Sequence, residues 1–272
     1  MIIEKLSPHT GAEVRGVDLR EPFDAAALNR AFVDHSVLVV RDQNLTAPQL
    51  LAAIRQFGDV LQQHNTKFAL PECPPIHYIS NQDKYPDGSR YIAGAGYHTD
   101  HSNAEAPPKA TILCAVSLPD HGGDTQYVNM HEAYASLDAA TKARIDGRRA
   151  IHVYQSRYSA RKLIALPDGT KVPDSVAHPL VRTHPESGRK ALYLNPIRTE
   201  GVVDMDDEEG LPLLDRLLDH AVEERHQYRH KWQSGDVVMW DNRCLLHKAN
   251  GDYDMGQLRY MYRVMLQGDV PR

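Results

Sequence analysis

Residues 93–101, AGAGYHTDH, carry the first indication of chemistry in this chain. If residues 97–101 are extended, successive side chains point to opposite faces, so His98 and Asp100 project from one side and Thr99 from the other. A second histidine from elsewhere would complete a two-histidine, one-carboxylate face, which holds iron(II) and leaves coordination positions open. Fifteen histidines produce His-x-Asp triplets by chance, so on the triplet alone a polar turn is the simpler interpretation.

Length and composition indicate a globular protein. With 272 residues and 42% hydrophobic content, the chain can bury a large core, as one large domain or two small ones. It has no run of about eighteen apolar residues and no basic-then-apolar N-terminal segment, so we expect no membrane span and a cytoplasmic location. Formal net charge is −5 and basic residues are dispersed, which argues against nucleic acid as a partner.

The three cysteines, Cys73, Cys114 and Cys244, are far apart in sequence. They are odd in number and include no Cys-x-x-Cys pair, so neither a disulfide framework nor a zinc ribbon is indicated. We expect reduced, buried thiols.

Periodicity and capping residues predict both helices and strands. Asp24 caps a helix through about His35, a buried strand follows at 36–41, and residues 46–49 (TAPQ) form a capping box for the next helix. Further strands are predicted at 76–80, 110–118, 192–194, 235–240 and 258–266, and further helices at 129–145 and 206–224. Many short strands with a few helices indicate a β-sandwich or barrel flanked by helices.

Two irregular stretches, about residues 60–96 and 154–179, interrupt this pattern. The first ends at the His98 triplet, and long irregular segments in compact domains are often active-site loops. In the second, each polar residue alone is most simply a solvated loop residue. As a group these residues could form a lid whose cations meet an anionic substrate; they are Tyr154, Arg157, Tyr158, Arg161 and Lys162.

The end of the chain offers a second histidine and two arginines. His247 follows the predicted strand 235–240, and Arg259 and Arg263 are four residues apart, so on one strand they face the same way. Two inward guanidinium groups need anionic partners, because an unpaired buried charge is costly. A dicarboxylate cosubstrate and an anionic substrate would supply them. At about 3.3 Å per residue the two Cα atoms lie roughly 13 Å apart, so we expect one arginine for each ligand.

Four blocks of sequence resemble the taurine and 2,4-dichlorophenoxyacetate dioxygenase family, TauD/TfdA. They are residues 97–100 (YHTD), 122–125 (GGDT), 178–185 (HPLVRTHP) and 240–243 (WDNR), which leads to His247. The resemblance spans nearly the whole chain and implies a single domain over residues 1–272, mainly β with flanking helices, on a double-stranded β-helix or jelly roll. It further implies an iron(II)- and 2-oxoglutarate-dependent dioxygenase, an oxidoreductase that uses O2 and releases succinate and CO2.

The resemblance also implies roles for individual residues. By position, His98, Asp100 and His247 match the family's iron ligands, and Thr125 and Arg259 match the partners of the distal carboxylate of 2-oxoglutarate. No catalytic side chain beyond the metal site is implied.

The substrate is less defined than the cofactors. Arg263 matches the arginine near the acidic group of the substrate, and His64 loosely matches a substrate-binding histidine. The spacing from His247 to Arg259 is one residue longer than in the taurine enzymes, and Gly94 stands where those have an asparagine that contacts substrate. We therefore expect a small anionic substrate, a sulfonate, a sulfate ester or an aryloxy or alkyl carboxylate, without choosing among them.

Two alternatives share parts of this pattern. A sugar-binding jelly roll would have the strands but no reason for an arginine pair beside a metal face. Another cupin-like metalloenzyme, such as an isomerase or a zinc hydrolase, would use His98, Asp100 and His247 without 2-oxoglutarate. The expected partners are a small-molecule anion and, as an open possibility, further copies of the chain in a homo-oligomer.

Overall fold

The computed structural model describes residues 1–63, 66–84, 88, 90, 92–159 and 175–272. Within these residues the chain is mainly β with flanking helices, as predicted. The strands are β1 Ile2–Lys5, β2 Ala12–Arg15, β3 Val37–Val40, β4 Ala69–Leu70, β5 Cys73–Ser80, β6 Ala110–Ser117, β7 Thr125–Asn129, β8 Arg149–His152, β9 Val176–Pro179, β10 Val181–Thr183, β11 Lys190–Leu192, β12 Thr199–Val202, β13 Gln227–His230, β14 Val237–Asp241, β15 Leu245–Ala249 and β16 Tyr260–Leu266. The α-helices are α1 Ala25–His35, α2 Ala47–Ile54, α3 Met130–Ala135, α4 Ala139–Ile145 and α5 Asp207–Ala221.

Eight strands form the main sheet, in the order β1-β2-β3-β14-β6-β16-β5-β4. Its neighbours are antiparallel except β2 and β3, which are parallel. In the central strand β14, Val238 and Trp240 belong to one buried cluster, and Val237 and Met239 belong to a second cluster on the opposite face. Because both faces are buried, β6 and β14 read as continuous apolar runs rather than as alternating ones.

Helices α1 and α2 cover one face of the main sheet. Both begin as predicted: the Asp24 side chain accepts a hydrogen bond from the Ala27 amide, and Thr46 and Gln49 form a capping box. Each then buries one apolar side in the cluster that contains Val237, namely Leu28, Ala31 and Phe32 of α1 and Leu50, Leu51 and Ile54 of α2.

The other face of the main sheet faces smaller sheets. These are β13-β7-β15, β12-β8-β9 and the hairpin β10-β11. Tyr127 of β7 and Trp240 of β14 lie with ring centroids 5.7 Å apart, so the sheet β13-β7-β15 packs directly on the main sheet. Helices α3 and α5 add Met130 and Leu217 to the same core.

Some element boundaries differ from the prediction. The helix expected over 129–145 is two helices, because the Ser136 hydroxyl bonds back to the Glu132 carbonyl and Asp138 caps a new helix at the Thr141 amide. Of the strand expected at 192–194, only residue 192 lies in a strand, as the last residue of β11. Conversely, β5 extends further toward its N-terminus than the predicted strand 76–80. Its two prolines are tolerated there because they lie outside the portion that pairs with β16.

Cys73, Cys114 and Cys244 are buried and unbridged, as predicted. Among the described residues, no helix combines the length and the apolar character needed to cross a bilayer.

Candidate active site

A short antiparallel bridge places two histidines side by side. His98 and His247 exchange backbone hydrogen bonds, with N–O distances of 3.0 and 2.8 Å, and the Ala249 amide donates to the Gly94 carbonyl at 2.8 Å. Directly opposed residues of such a pair have Cα atoms about 5.5 Å apart and side chains on the same face. The two imidazole rings accordingly lie 4.2 Å apart, centroid to centroid.

Asp100 completes a set of three possible metal ligands. The ligand atoms of His98, Asp100 and His247 lie within 4.8 Å of one another. The Nε2 atoms of His98 and His247 lie 3.7 and 3.8 Å from the two oxygens of the Asp100 carboxylate. Thr99 points away and donates its hydroxyl to the Asn242 carbonyl at 2.8 Å, as the predicted alternation requires. Two imidazole nitrogens and one carboxylate oxygen suit iron(II).

The electrostatics of the site favour an ionised carboxylate. Burial by itself raises the pKa of Asp100, but the neighbouring imidazoles of His247 and His98 and the guanidinium of Arg263 lower it more, so this pKa lies well below its usual range. A carboxylate must be deprotonated to bind a metal. Asp100 is therefore ready to act as a ligand at neutral pH.

Gly94 is required by the backbone next to this centre. Its φ is +81°, and a Cβ there would lie 3.2 Å from Cε1 of His98. A side chain would be strained and would press on the ring of His98, a candidate ligand. Glycine at this position is therefore explained by close packing beside His98.

The three candidate ligands open onto a cavity with about 470 Å³ of empty space, part of which is open to solvent. Thr125, Arg259 and Arg263 line the same cavity, so every predicted site residue that the structure describes is found there. His64 lies outside the described residues. The remaining lining is small or apolar apart from one threonine: Ile79, Ala93, Gly94, Thr111, Leu113, Trp240 and Ala249.

Arg259 is a buried cation in this wall. Its side chain is only 4% exposed, its Nε donates to the Gly123 carbonyl at 3.0 Å, and no carboxylate of the described residues lies within ion-pair distance. Burial lowers the pKa of this guanidinium. A buried charge without a protein anion indicates that a bound anion belongs beside it.

The surroundings of Arg259 differ from the prediction in one respect. β16 begins at Tyr260, and its register against β6 shifts between Tyr260 and Met261. The expected strand over 258–266 is therefore shorter and irregular at its start, and its alternation alone does not determine where Arg259 points. Nearby, the Thr125 hydroxyl accepts a hydrogen bond from Nε1 of Trp232 at 3.0 Å, so its own proton can be donated into the cavity.

Arg263 lies within the regular part of β16, opposite His77 of β5. Its guanidinium donates a short hydrogen bond to Oε1 of Gln63. Burial, and next the charge of Arg263, lower the pKa of His77 to about 4, so this imidazole is neutral at pH 7. The positive charge of this corner of the cavity therefore comes from Arg263.

Arg157, one of the cations of the predicted lid, forms ion pairs with two carboxylates of the protein. Its Nε lies 2.8 Å from Glu200 Oε1 and its Nη2 lies 3.2 Å from Asp207 Oδ2, to which the Tyr158 hydroxyl also donates at 2.6 Å. These bonds fasten residues 157–158 to β12 and to the first turn of α5, while a lid formed by the group as a whole stays a prediction. Arg161 and Lys162 lie outside the described residues.

Three polar residues around the ligands were not anticipated. The Thr111 hydroxyl donates to Oδ2 of Asp100 at 2.6 Å, Nδ2 of Asn242 donates to Oγ1 of Thr111 at 2.9 Å, and Nδ2 of Asn195 donates to the Thr99 carbonyl at 2.8 Å. Asn242 lies in the block 240–243, whose resemblance to the family could have indicated it. Thr111 sits within an apolar run and Asn195 within no motif, so pattern alone did not reveal them.

A second group of possible ligands, His184, Asp241 and Cys244, is also buried. Its carboxylate is already occupied: Asp241 accepts from Nε and Nη2 of Arg243 at 2.8 and 2.6 Å, and Nε2 of His184 lies 3.0 Å away. Burial raises the pKa of the Cys244 thiol far above its usual value. A buried ion pair and a protonated thiol account for this group, which is structural.

Comparisons with known proteins, by sequence and by structure, point to one family of dioxygenases. The family model described as taurine catabolism dioxygenase TauD, TfdA family matches residues 2–265. The chain is 33% identical to the alpha-ketoglutarate-dependent 2,4-dichlorophenoxyacetate dioxygenase of Cupriavidus pinatubonensis, covering 99% of both chains. It is 32% identical to the alpha-ketoglutarate-dependent sulfate ester dioxygenase of Pseudomonas putida, covering 99% of this chain and 90% of the relative. The crystal structure of a taurine dioxygenase from Burkholderia xenovorans superposes with a TM-score of 0.84 at 35% identity, covering 99% of this chain and 90% of that one.

Proposed function

Because the chain belongs to the TauD/TfdA family and is a 2-oxoglutarate-dependent dioxygenase, we propose that His98, Asp100 and His247 hold its iron(II). We further propose that Thr125 and Arg259 bind the distal carboxylate of 2-oxoglutarate. The observation that carries both assignments is the convergence of all five side chains on one cavity. Three protein ligands on one face leave positions for the cosubstrate and for O2.

We infer that the main sheet and the sheet β13-β7-β15 are the two faces of a double-stranded β-helix, and that the chain forms one domain. In support, one buried cluster contains residues from Val37 through Met261 and packs both sheets together. The two ligand histidines lie at the edge of this packing, with His247 on β15 and His98 bridged to it. This arrangement fixes both ring positions through the backbone.

When bound, iron and 2-oxoglutarate activate O2, so that one oxygen atom enters a substrate C–H bond and the other enters succinate, with release of CO2. The chain contributes position and charge. Asp100 stays ionised, Arg259 neutralises the distal carboxylate, and the Thr125 hydroxyl donates a second hydrogen bond to it.

Arg263 supports an anionic substrate with an apolar body. Among the described lining residues the only carboxylate is Asp100, a metal ligand, so none is placed to pair with a substrate ammonium group. Ile79, Leu113 and Trp240 offer apolar contact instead. We therefore propose that Arg263 binds a sulfonate, sulfate or carboxylate group whose remainder is apolar. The alternative, a cupin-like enzyme without 2-oxoglutarate, leaves Arg259 without an anion.

Succinate release tests this proposal. Purified protein supplied with iron(II), 2-oxoglutarate and O2 is challenged with small sulfonates, sulfate esters and aryloxy or alkyl carboxylates, each beside its neutral amide or ester. We expect an anion to stimulate succinate formation and its neutral counterpart to fail. No succinate with any compound, or a best substrate that is neutral or cationic, contradicts the function or the substrate class respectively.

A further inference from the structure

Two buried residues outside the candidate ligand set support the Asp100 carboxylate through hydrogen bonds. Thr111, the second residue of β6, is 0% exposed, and Asn242, in the turn after β14, is 1% exposed. Together they form a hydrogen-bonded chain that ends on Oδ2 of Asp100. Oδ1 receives no hydrogen bond from the described part of the protein.

The direction of each hydrogen bond in this chain follows from elementary chemistry. The Asp100 amide faces Oδ1 of Asn242 at 3.4 Å, so the Asn242 Nδ2 group must face Thr111 and donate to it. Thr111 has a single hydroxyl proton, and its oxygen already accepts from Asn242. Because an ionised carboxylate only accepts, that proton must point at Oδ2 of Asp100, and the 2.6 Å distance is that of a charge-assisted bond.

We propose that Thr111 and Asn242 are positioning residues that lock the Asp100 carboxylate so that Oδ1 is presented to the metal ion. This inference rests on the proposed metal site. Asn242 also accepts the Thr99 hydroxyl at its backbone carbonyl, so it fixes the ligand strand and the ligand carboxylate at once. Outer hydrogen bonds of this kind orient metal ligands, and their loss typically lowers metal affinity about 10- to 100-fold.

Metal affinity, measured without turnover, tests the inference. Cobalt(II) is titrated into metal-free protein by calorimetry, and its visible absorption spectrum reports the coordination. We expect Thr111→Val, which keeps the shape and removes the hydroxyl, to bind cobalt about 10- to 100-fold more weakly. Thr111→Ser, which restores the hydroxyl, should bind within about threefold of wild type and recover its spectrum. Asn242→Ala should weaken binding by a smaller factor, because Thr111 can still donate.

The matched control is Thr10→Val. Thr10 is also buried, and its hydroxyl also accepts from an asparagine amide, that of Asn129 at 3.0 Å, but it does not line the cavity. Its cobalt affinity should equal that of wild type. Thermal unfolding of each metal-free variant shows whether it is folded; if Thr111→Val does not fold, Asn242→Ala decides.

Two failures are distinguishable. If wild type binds cobalt and Asp100→Ala does not, yet Thr111→Val and Asn242→Ala bind as wild type does, this inference is overturned and the metal site stands. If wild type binds no cobalt, or Asp100→Ala binds it equally well, the proposed site itself fails and the inference fails with it.

Discussion

Replacing Arg259 by methionine should weaken 2-oxoglutarate binding strongly without costing much stability. In the ligand-free protein this guanidinium is buried with no carboxylate of the described residues in ion-pair range, and its pKa is lowered by burial. When the pKa of a base is lower in the folded protein than in the unfolded chain, its charged form is less favourable in the folded state. At pH values below the folded pKa, the charge of Arg259 therefore opposes folding.

The two effects on stability have opposite signs. Replacing a buried ion pair by apolar residues of similar size is often neutral or stabilising by up to about 4 kcal/mol, and removing the single buried charge of Arg259 should act in the same direction. Against this, the Gly123 carbonyl loses its donor at a cost of about 1–3 kcal/mol. We therefore expect the free energy of unfolding of ligand-free Arg259→Met to stay within about 2 kcal/mol of wild type.

The effect on the cosubstrate should be larger. A hydrogen bond to a charged group contributes about 1.5–3 kcal/mol, so the Kd for 2-oxoglutarate should rise about 10- to 100-fold or more. At a concentration of about 100 times the wild-type Kd, 2-oxoglutarate stabilises wild type by about 2.7 kcal/mol. A variant with a 100-fold higher Kd gains only about 0.4 kcal/mol at the same concentration.

Thermal unfolding with manganese(II) in place of iron, with and without 2-oxoglutarate, measures both quantities. Wild type should rise by roughly 5–10 °C with the cosubstrate, and Arg259→Met by about 1 °C. The control Arg144→Met removes an arginine that pairs with Glu209 at the surface, and it should keep the full shift. An undiminished shift in Arg259→Met, or a loss of more than about 4 kcal/mol in its ligand-free form, would refute this reasoning.

Three further outcomes follow from the site and its surroundings. Asp100→Ala should bind iron far more weakly and lose turnover while circular dichroism shows a folded chain; near-normal oxygenation by this variant contradicts the ligand assignment. Arg263→Ala should raise the KM for the anionic substrate at least about tenfold and leave uncoupled decarboxylation of 2-oxoglutarate intact, so an unchanged KM removes the proposed anion contact. For Glu186, burial raises the pKa but hydrogen bonds from Asn29 and Arg243 bring it down to about 2. Its stabilising contribution is thus complete above its unfolded pKa of about 4.5 and is lost as pH falls toward 2. Melting temperatures of Glu186→Gln should accordingly fall less steeply over that range, and parallel pH profiles would exclude this role.

Sequence patterns predicted the elements whose signals are local. The caps at Asp24 and Thr46 mark helix starts in both sequence and structure, and the apolar run 110–118 became β6. The break within 129–145 was missed, because the bond from Ser136 to the Glu132 carbonyl competes with a helix that periodicity favours.

The site was predictable where a motif carries chemistry. The resemblance assigned roles to His98, Asp100, His247 and both arginines, and all five line one cavity, while the roles themselves stay predictions. Thr111 was missed because its role exists only when β6 and the turn after β14 lie together, which is a long-range fact that no window of sequence contains. The spatial neighbours of Arg157 were missed for the same reason.

The backbone bridge between His98 and His247 also bears on how the protein assembles. The bridge joins positions about 150 residues apart, and closing a loop of that length costs about 4 kcal/mol in chain entropy beyond a constant. The proposed metal face cannot form before the chain has been synthesised through His247, because one of its three proposed ligands is missing until then. An ion held by the proposed ligands would join the two ends of this loop. Metal loading should therefore protect the His98 and His247 amides from hydrogen exchange before any others, and metal-starved protein should first open at this bridge.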